Sequence, residues 1–126
     1  MFKRIDHVVI AVTDLEASAD LYANAFSLKG TPPKEVPAIG IRNVLFDVGN
    51  AFIELAQPLN DTGPIARFLK ERGEGLYLIA IQVDDLKASA RRLREKGARI
   101  LGDENAGGQV FIHPKSTHGV LIQLLQ

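Results

Sequence analysis

Cysteine is absent from this chain of 126 residues, and so is any net charge. Without cysteine there is no disulfide, no thiolate metal site and no cysteine nucleophile. Because 15 basic residues balance 15 acidic ones, the positive surplus typical of nucleic-acid-binding proteins is missing, and we expect no nucleic-acid partner. No segment approaches the roughly 18 consecutive apolar residues of a transmembrane helix, so we expect no membrane partner and a cytoplasmic location. The apolar content of 46% is ordinary for a globular domain.

A repeat organises what is present. The stretch from Ile5 to Ala19 recurs from Leu76 to Ala90, and each copy is an apolar run followed by the acidic start of an amphipathic helix. Later in each copy, Phe52–Leu55 resembles Leu121–Leu124. Repeats of this kind indicate a duplicated supersecondary unit. We therefore predict an α+β fold of two βαβββ repeats, at about 4–57 and 76–126, within one domain covering 1–126. The repeats are expected to pair into a curved, partly closed mixed sheet with the helices outside.

Local signals define several elements. Thr13 and Glu16 form a capping-box pattern, which predicts a helix running to about Phe26. Three prolines between 32 and 37 predict a loop or a ragged edge strand. Gly49-Asn50 predicts a tight turn joining strands 41–48 and 51–57. In the second copy the pattern predicts a strand at 76–83, a helix at 85–96, and strands at 98–101, 109–113 and 120–125.

Strand alternation predicts a shared inner face. Ile53 and Leu55 should face the helices, which directs Glu54 inward, and the same argument directs Gln123 inward. His7 and its repeat equivalent Leu78 are expected beside them. A buried carboxylate is costly unless it is paired or ligated. Histidine with glutamate could be half of a site for Zn²⁺, Mn²⁺, Fe²⁺, Co²⁺ or Ni²⁺, or a hydrogen-bonded pair lining an apolar pocket.

Six short stretches, in order along nearly the whole chain, are similar to the vicinal oxygen chelate superfamily. That superfamily includes glyoxalase I, extradiol dioxygenases and bleomycin-type antibiotic-resistance proteins, and within it the chain looks most like the methylmalonyl-CoA epimerases. The stretches are Ile5-Asp6-His7, Pro58-Leu59-Asn60, Gly73-Glu74-Gly75-Leu76, Val83-Asp84-Asp85-Leu86, His113-Pro114-Lys115-Ser116 and Gly119-Val120-Leu121-Ile122.

The resemblance implies where a metal and the catalytic bases would lie. Family ligand positions correspond to His7, Glu54, Leu78 and Gln123, and the second family base corresponds to Asn43. Leu78 cannot ligate a metal. Gln123 stands where the family has a glutamate that serves as both metal ligand and catalytic base. A divalent ion (Co, Mn, Zn, Ni or Fe) is therefore expected to be weak or absent, held by His7, Glu54 and Gln123. The side-chain amides of Asn43 and Gln123 cannot accept a proton at physiological pH.

Polar residues outside this face offer candidate ligand contacts. Lys115 and Ser116 carry an ammonium and a hydroxyl suited to an anion, or they belong to a plain surface turn. With Asn43 and Leu78 they are the predicted substrate-binding residues. The basic residues of the predicted helix at 85–96 either bind the phosphates of CoA or simply form the exposed side of the helix. They are Arg91, Arg92, Arg94 and Lys96.

Two functional hypotheses follow. The first is a divergent isomerase or lyase acting on an acyl-CoA or a similar small oxygenated substrate, with Glu54 as the base and Asp47 as a weaker alternative. The second is a non-catalytic protein that sequesters a small molecule and has lost the metal centre. In either case the chain is expected to form a homodimer.

Overall fold

The computed structural model describes all residues from 1 to 126. It contains eight strands, three α-helices and two 3₁₀ turns. The strands are β1 (Phe2–Ala11), β2 (Lys34–Val36), β3 (Ile41–Asp47), β4 (Phe52–Pro58), β5 (Gly75–Val83), β6 (Ile100–Leu101), β7 (Gln109–Ile112) and β8 (Leu121–Leu125). The helices are α1 (Leu15–Ala25), α2 (Pro64–Arg72) and α3 (Leu86–Glu95), and the 3₁₀ turns are Pro37–Ile39 and Pro114–Ser116.

The predicted duplication is confirmed. The element order is β1-α1-β2-β3-β4 in the first copy and β5-α3-β6-β7-β8 in the second, with α2 between them. The α+β class is therefore confirmed as well. Two compact units can be distinguished by contacts: a first unit, Val8–Tyr77, and a second unit, Met1–His7 with Leu78–Gln126. The start of β1 thus belongs with the second copy. The single domain remains a prediction.

In the first unit, β2, β3 and β4 are antiparallel neighbours, and β2 is a three-residue edge strand, as the prolines around it predicted. The side of this sheet that packs on α1 forms a buried core of Val12, Leu15, Val44, Phe46 and Leu55. Leu15 and Leu55 have no exposed surface. Truncating a leucine in such a position to alanine typically costs about 2–5 kcal/mol. This core fixes which side chains of β3 and β4 face away from α1.

In the second unit, β5 pairs in parallel with β8, whereas β8–β7 and β7–β6 are antiparallel, so the sheet is mixed as predicted. The side facing α3 is again a closed apolar core: Val83, Leu86, Ala90, Val110, Ile112 and Leu124. β6 has one hydrogen-bonded neighbour, as β2 does in the first unit. Each unit therefore ends in a short, open sheet edge.

The start of α1 differs from the predicted capping box. Asp14, not Thr13, is the N-cap, and its carboxylate accepts a hydrogen bond from Ala17 N at 3.1 Å. Thr13 instead donates both its N–H and its hydroxyl to Glu74, at 2.8 and 3.1 Å. Asp14 prevails because its backbone is extended, the conformation that an N-cap requires. Its repeat equivalent Asp85 caps α3 in the same way.

A second contact secures the starts of α1 and α3, and it too is duplicated. Leu15 N donates to Gln57 Oε1 at 2.8 Å, and Leu86 N donates to Gln126 Oε1 at 2.9 Å. The first turn of a helix leaves its N–H groups without partners inside the helix. A glutamine close to the end of β4, and one just after β8, therefore joins each of these strands to the start of a helix.

No helix of the molecule has both the length and the apolar character needed to cross a membrane.

Candidate functional site

Asn43 and Glu54 form a polar pair in the first unit. Asn43 Nδ2 donates to Glu54 Oε2 at 3.3 Å, and both side chains are half-buried. In the β3–β4 register Leu45 lies opposite Glu54, so Asn43 is its diagonal neighbour. Because Val44 and Leu55 point to α1, the pair lies on the face turned away from that helix. Strand alternation predicted this orientation for Glu54, and the structure adds Asn43 as the residue that orients its carboxylate.

Gln109 and Gln123 form the matching pair in the second unit. Gln123 Nε2 donates to Gln109 Oε1. In the β7–β8 register Phe111 lies opposite Gln123, so Gln109 is again the diagonal neighbour. The duplication therefore preserves a diagonal hydrogen bond, with a carboxylate acceptor in one unit and an amide acceptor in the other. The role of Gln109 could not be predicted from the sequence, because its separation from Gln123 along the chain does not reveal the register between β7 and β8.

His7 belongs to a charged chain of contacts in the second unit. Its Nδ1 lies 2.8 Å from Asp6 Oδ2, and the imidazole is 12% exposed. Arg4 contacts the other Asp6 oxygen at 3.0 Å and Gln82 Oε1 at 3.2 Å. A carboxylate at Nδ1 favours the tautomer with its proton on that nitrogen, which makes Nε2 the acceptor nitrogen. Sequence reasoning missed Arg4 and Asp6 as the groups that orient this ring.

Leu78 lies on the face of β5 turned away from α3, with only 6% of its surface exposed. Its neighbour on that face, Ala80, is fully buried and directly opposite Gln123 in the parallel β5–β8 pair. This part of the face is therefore apolar apart from the Gln123 amide.

The residues present do not fit a tightly held divalent ion. Nowhere in the molecule do three or more His, Cys, Asp or Glu side chains group in a way that could hold one. Leu78 offers no ligating atom, and Gln123 offers only its amide oxygen, because its amide nitrogen donates to Gln109. Amide oxygens suit harder ions and are weaker ligands than the carboxylate they replace. A metal on His7, Glu54 and Gln123 remains a prediction.

Lys115 and Ser116 lie in the 3₁₀ turn that precedes β8, and both are exposed. The ring of His113 caps this turn, since its Nδ1 accepts from Lys115 N at 3.0 Å. Ser116 Oγ accepts from Arg99 N at 3.0 Å. Partial burial and the positive charges of Arg99 and Lys115 lower the pKa of His113 from its ordinary value of about 6.5. These surroundings therefore favour the neutral imidazole.

Two other predicted contributors already have structural partners. Arg94 forms a bidentate pair with Glu104, and this hydrogen bonding lowers the pKa of the Glu104 carboxyl. Arg94 is therefore not available to a phosphate without breaking that pair. Of the predicted basic set, Arg91, Arg92 and Lys96 are also exposed. Asp47 accepts from Gly49 N at 2.7 Å and stabilises the β3–β4 turn.

Comparison with known protein families shows which superfamily this chain resembles. The model of the glyoxalase/bleomycin resistance protein/dioxygenase superfamily matches residues 6–112. This protein belongs to that superfamily. The family model thus confirms the resemblance to this superfamily that the sequence motifs indicated.

Its relatives include epimerases of acyl-CoA thioesters. The chain is 39% identical to the ethylmalonyl-CoA/methylmalonyl-CoA epimerase of Cereibacter sphaeroides, covering 100% of this chain and 99% of that protein. It is 38% identical to the human mitochondrial methylmalonyl-CoA epimerase, covering 98% and 73%. A solved Streptomyces coelicolor methylmalonyl-CoA epimerase variant, in complex with 2-nitronate-propionyl-CoA, superposes with a TM-score of 0.88 at 30% identity, covering 99% and 97%.

Proposed function

We propose that this protein binds an acyl-CoA thioester and moves a proton at its α-carbon, with Glu54 as the single base. The substrate class is supported by similarity, over nearly the full length of both chains, to an epimerase of ethylmalonyl-CoA and methylmalonyl-CoA. A further similar structure was solved with an acyl-CoA analogue bound.

The chemistry rests on one observation, the oriented carboxylate of Glu54. Asn43 holds one carboxylate oxygen at 3.3 Å on the sheet face away from α1. In the proposed step Glu54 takes the α-proton, the C–H electrons form the enolate, and the thioester oxygen carries the negative charge. Glu54 then returns the proton to the α-carbon or to a conjugated carbon. General-base catalysis of this kind contributes about 10²–10⁴-fold in rate.

A single base predicts a different outcome from epimerisation. Inversion at carbon needs a proton acceptor on one face and a donor on the other. Asn43 and Gln123, the two further positions that the family resemblance marks, are amides that neither accept nor give a proton at physiological pH. The expected reaction is therefore α-proton exchange with retained configuration, or a proton shift along the acyl chain.

A second candidate function is sequestration without chemistry. It is favoured by Leu78, whose side chain is buried and apolar, and by the Gln109–Gln123 amide pair beside it on the same sheet. These groups would line a site for an acyl chain without supplying acid or base. The two candidates share a ligand class and differ in whether Glu54 exchanges a proton with it.

One experiment separates them. The protein is incubated with methylmalonyl-CoA in D₂O, and α-deuterium uptake is followed by mass spectrometry against a protein-free blank, with thioester affinity measured by calorimetry. We expect uptake above the blank, lowered about 10²–10⁴-fold by Glu54→Gln. Asp47→Asn is the matched control, because it removes a carboxylate from the end of the neighbouring strand and should leave exchange unchanged.

The outcomes are distinct. Equal exchange in the wild type and Glu54→Gln would refute the assignment of Glu54. Binding without exchange would favour sequestration. Absence of measurable thioester binding would overturn the ligand class itself.

A further inference from the structure

The turn that carries Lys115 and Ser116 is capped by a titratable group. His113 immediately precedes the turn, and its Nδ1 accepts the backbone N–H of Lys115 at 3.0 Å. Side-chain caps are normally supplied by Ser, Thr, Asp or Asn, whose oxygens accept at any physiological pH. An imidazole nitrogen accepts only while it is unprotonated.

The same turn is attached to the segment before β6 at two points. His113 N donates to Arg99 O at 2.9 Å, and Arg99 N donates to Ser116 Oγ at 3.0 Å. The hydroxyl of Ser116 and the backbone of Lys115 are thus positioned by a small network that includes the cap. Loss of the cap would free the N–H of Lys115 and loosen the residue whose ammonium is a candidate anion contact.

The surroundings of the ring oppose its protonation. The charged groups that act on it are Lys115, from the turn itself, and Arg99, from the segment before β6. Both are cations, and the ring is only partly exposed. A protonated His113 would add a third positive charge near these two and would direct an N–H toward the N–H of Lys115. Protonation and an intact cap are therefore incompatible.

We propose that His113 is a positioning residue whose neutral ring holds the Lys115–Ser116 turn in its binding geometry, and whose protonation releases that turn and weakens acyl-CoA binding. The binding half of this statement rests on the proposed function. The structural half does not, since the cap exists without any ligand.

The structural half is tested on the ligand-free protein by NMR. We expect the His113 ring and the Lys115 amide signal to titrate together, with one midpoint below pH 6.5. In His113→Asn the Asn oxygen can still cap the turn but does not titrate, so the Lys115 signal should stay constant from pH 5 to 7.5. His118→Asn is the matched control, because His118 is exposed and adopts a positive φ of 60° that Asn tolerates. This control should titrate as the wild type does.

The binding half is tested by measuring the Kd for methylmalonyl-CoA at pH 5.5 and 7.5. We expect the wild type to bind about three- to tenfold more weakly at the lower pH, the effect of one hydrogen bond. His113→Asn supplies the correction for titration of the ligand itself and should lack this difference. A Lys115 amide that fails to titrate with His113 would overturn the inference whatever the ligand data. If the signals co-titrate and no thioester binds at either pH, the proposed function fails and the cap stands.

Discussion

Substitution of Gln57 tests whether the ends of the last strands hold the helices in place. Gln57 Oε1 accepts the N–H of Leu15 at 2.8 Å, and Leu15 itself is completely buried at the start of α1. In Gln57→Leu this partly buried N–H loses its acceptor. Leaving a buried donor unsatisfied costs about 1–3 kcal/mol, which is the loss that we expect in the free energy of unfolding.

Gln57→Glu provides the matched comparison. It keeps an acceptor oxygen at the same place and adds negative charge at a helix N-terminus, which is worth about 0.3–1 kcal/mol in the favourable direction. Urea denaturation followed by circular dichroism should therefore rank Gln57→Glu at or above the wild type and Gln57→Leu well below it. Equal midpoints for the two variants, with equal slopes, would refute the role of this contact.

Three further predictions concern packing, pH and metal. Gly30→Ala should lower the free energy of unfolding by about 1–3 kcal/mol in urea titrations, since the added Cβ would lie 2.7 Å from the Phe46 ring; an unchanged midpoint would contradict it. Burial raises the pKa of Tyr77 above 10.0, so the unfolded chain ionises first and stability should fall as the pH rises above about 10. Tyr77→Phe should remove that loss in thermal melts from pH 8 to 11, and an identical loss in this variant would contradict the assignment. Leu78→His combined with Gln123→Glu should raise Co²⁺ affinity at least about tenfold in calorimetry, and further replacement of His7 by Ala should abolish the gain. If the affinity of the double variant equals that of the wild type, Leu78 and Gln123 are not the reason for the poor fit to a metal.

The architecture could be predicted from the sequence because the same pattern of strands and helices occurs in both copies. In each copy an apolar run, which predicts a strand, is followed by an aspartate, which predicts the start of a helix. The two aspartates, Asp14 and Asp85, are the N-caps of α1 and α3. The capping prediction was wrong by one residue because Thr13 and Asp14 are both good caps. Only the extended backbone at Asp14, together with the distant partner Glu74, decides between them.

The candidate site could be predicted only as far as strand alternation reaches. Within each unit, alternation predicted that Glu54 or Gln123 faces away from the helix, because each is flanked by residues that pack against it. It could not give the diagonal partners Asn43 and Gln109, since these depend on the register between strands. Nor could it show that His113 caps the turn, because that requires the orientation of a ring nitrogen.

The most direct test of the account is the stereochemistry of proton exchange. Methylmalonyl-CoA of single configuration, incubated in D₂O with the wild-type protein, should gain α-deuterium and keep its configuration, and the Glu54→Gln variant should gain it about 10²–10⁴-fold more slowly. Rapid inversion by the wild-type protein, or exchange at an undiminished rate in Glu54→Gln, would contradict a mechanism with Glu54 as the single base.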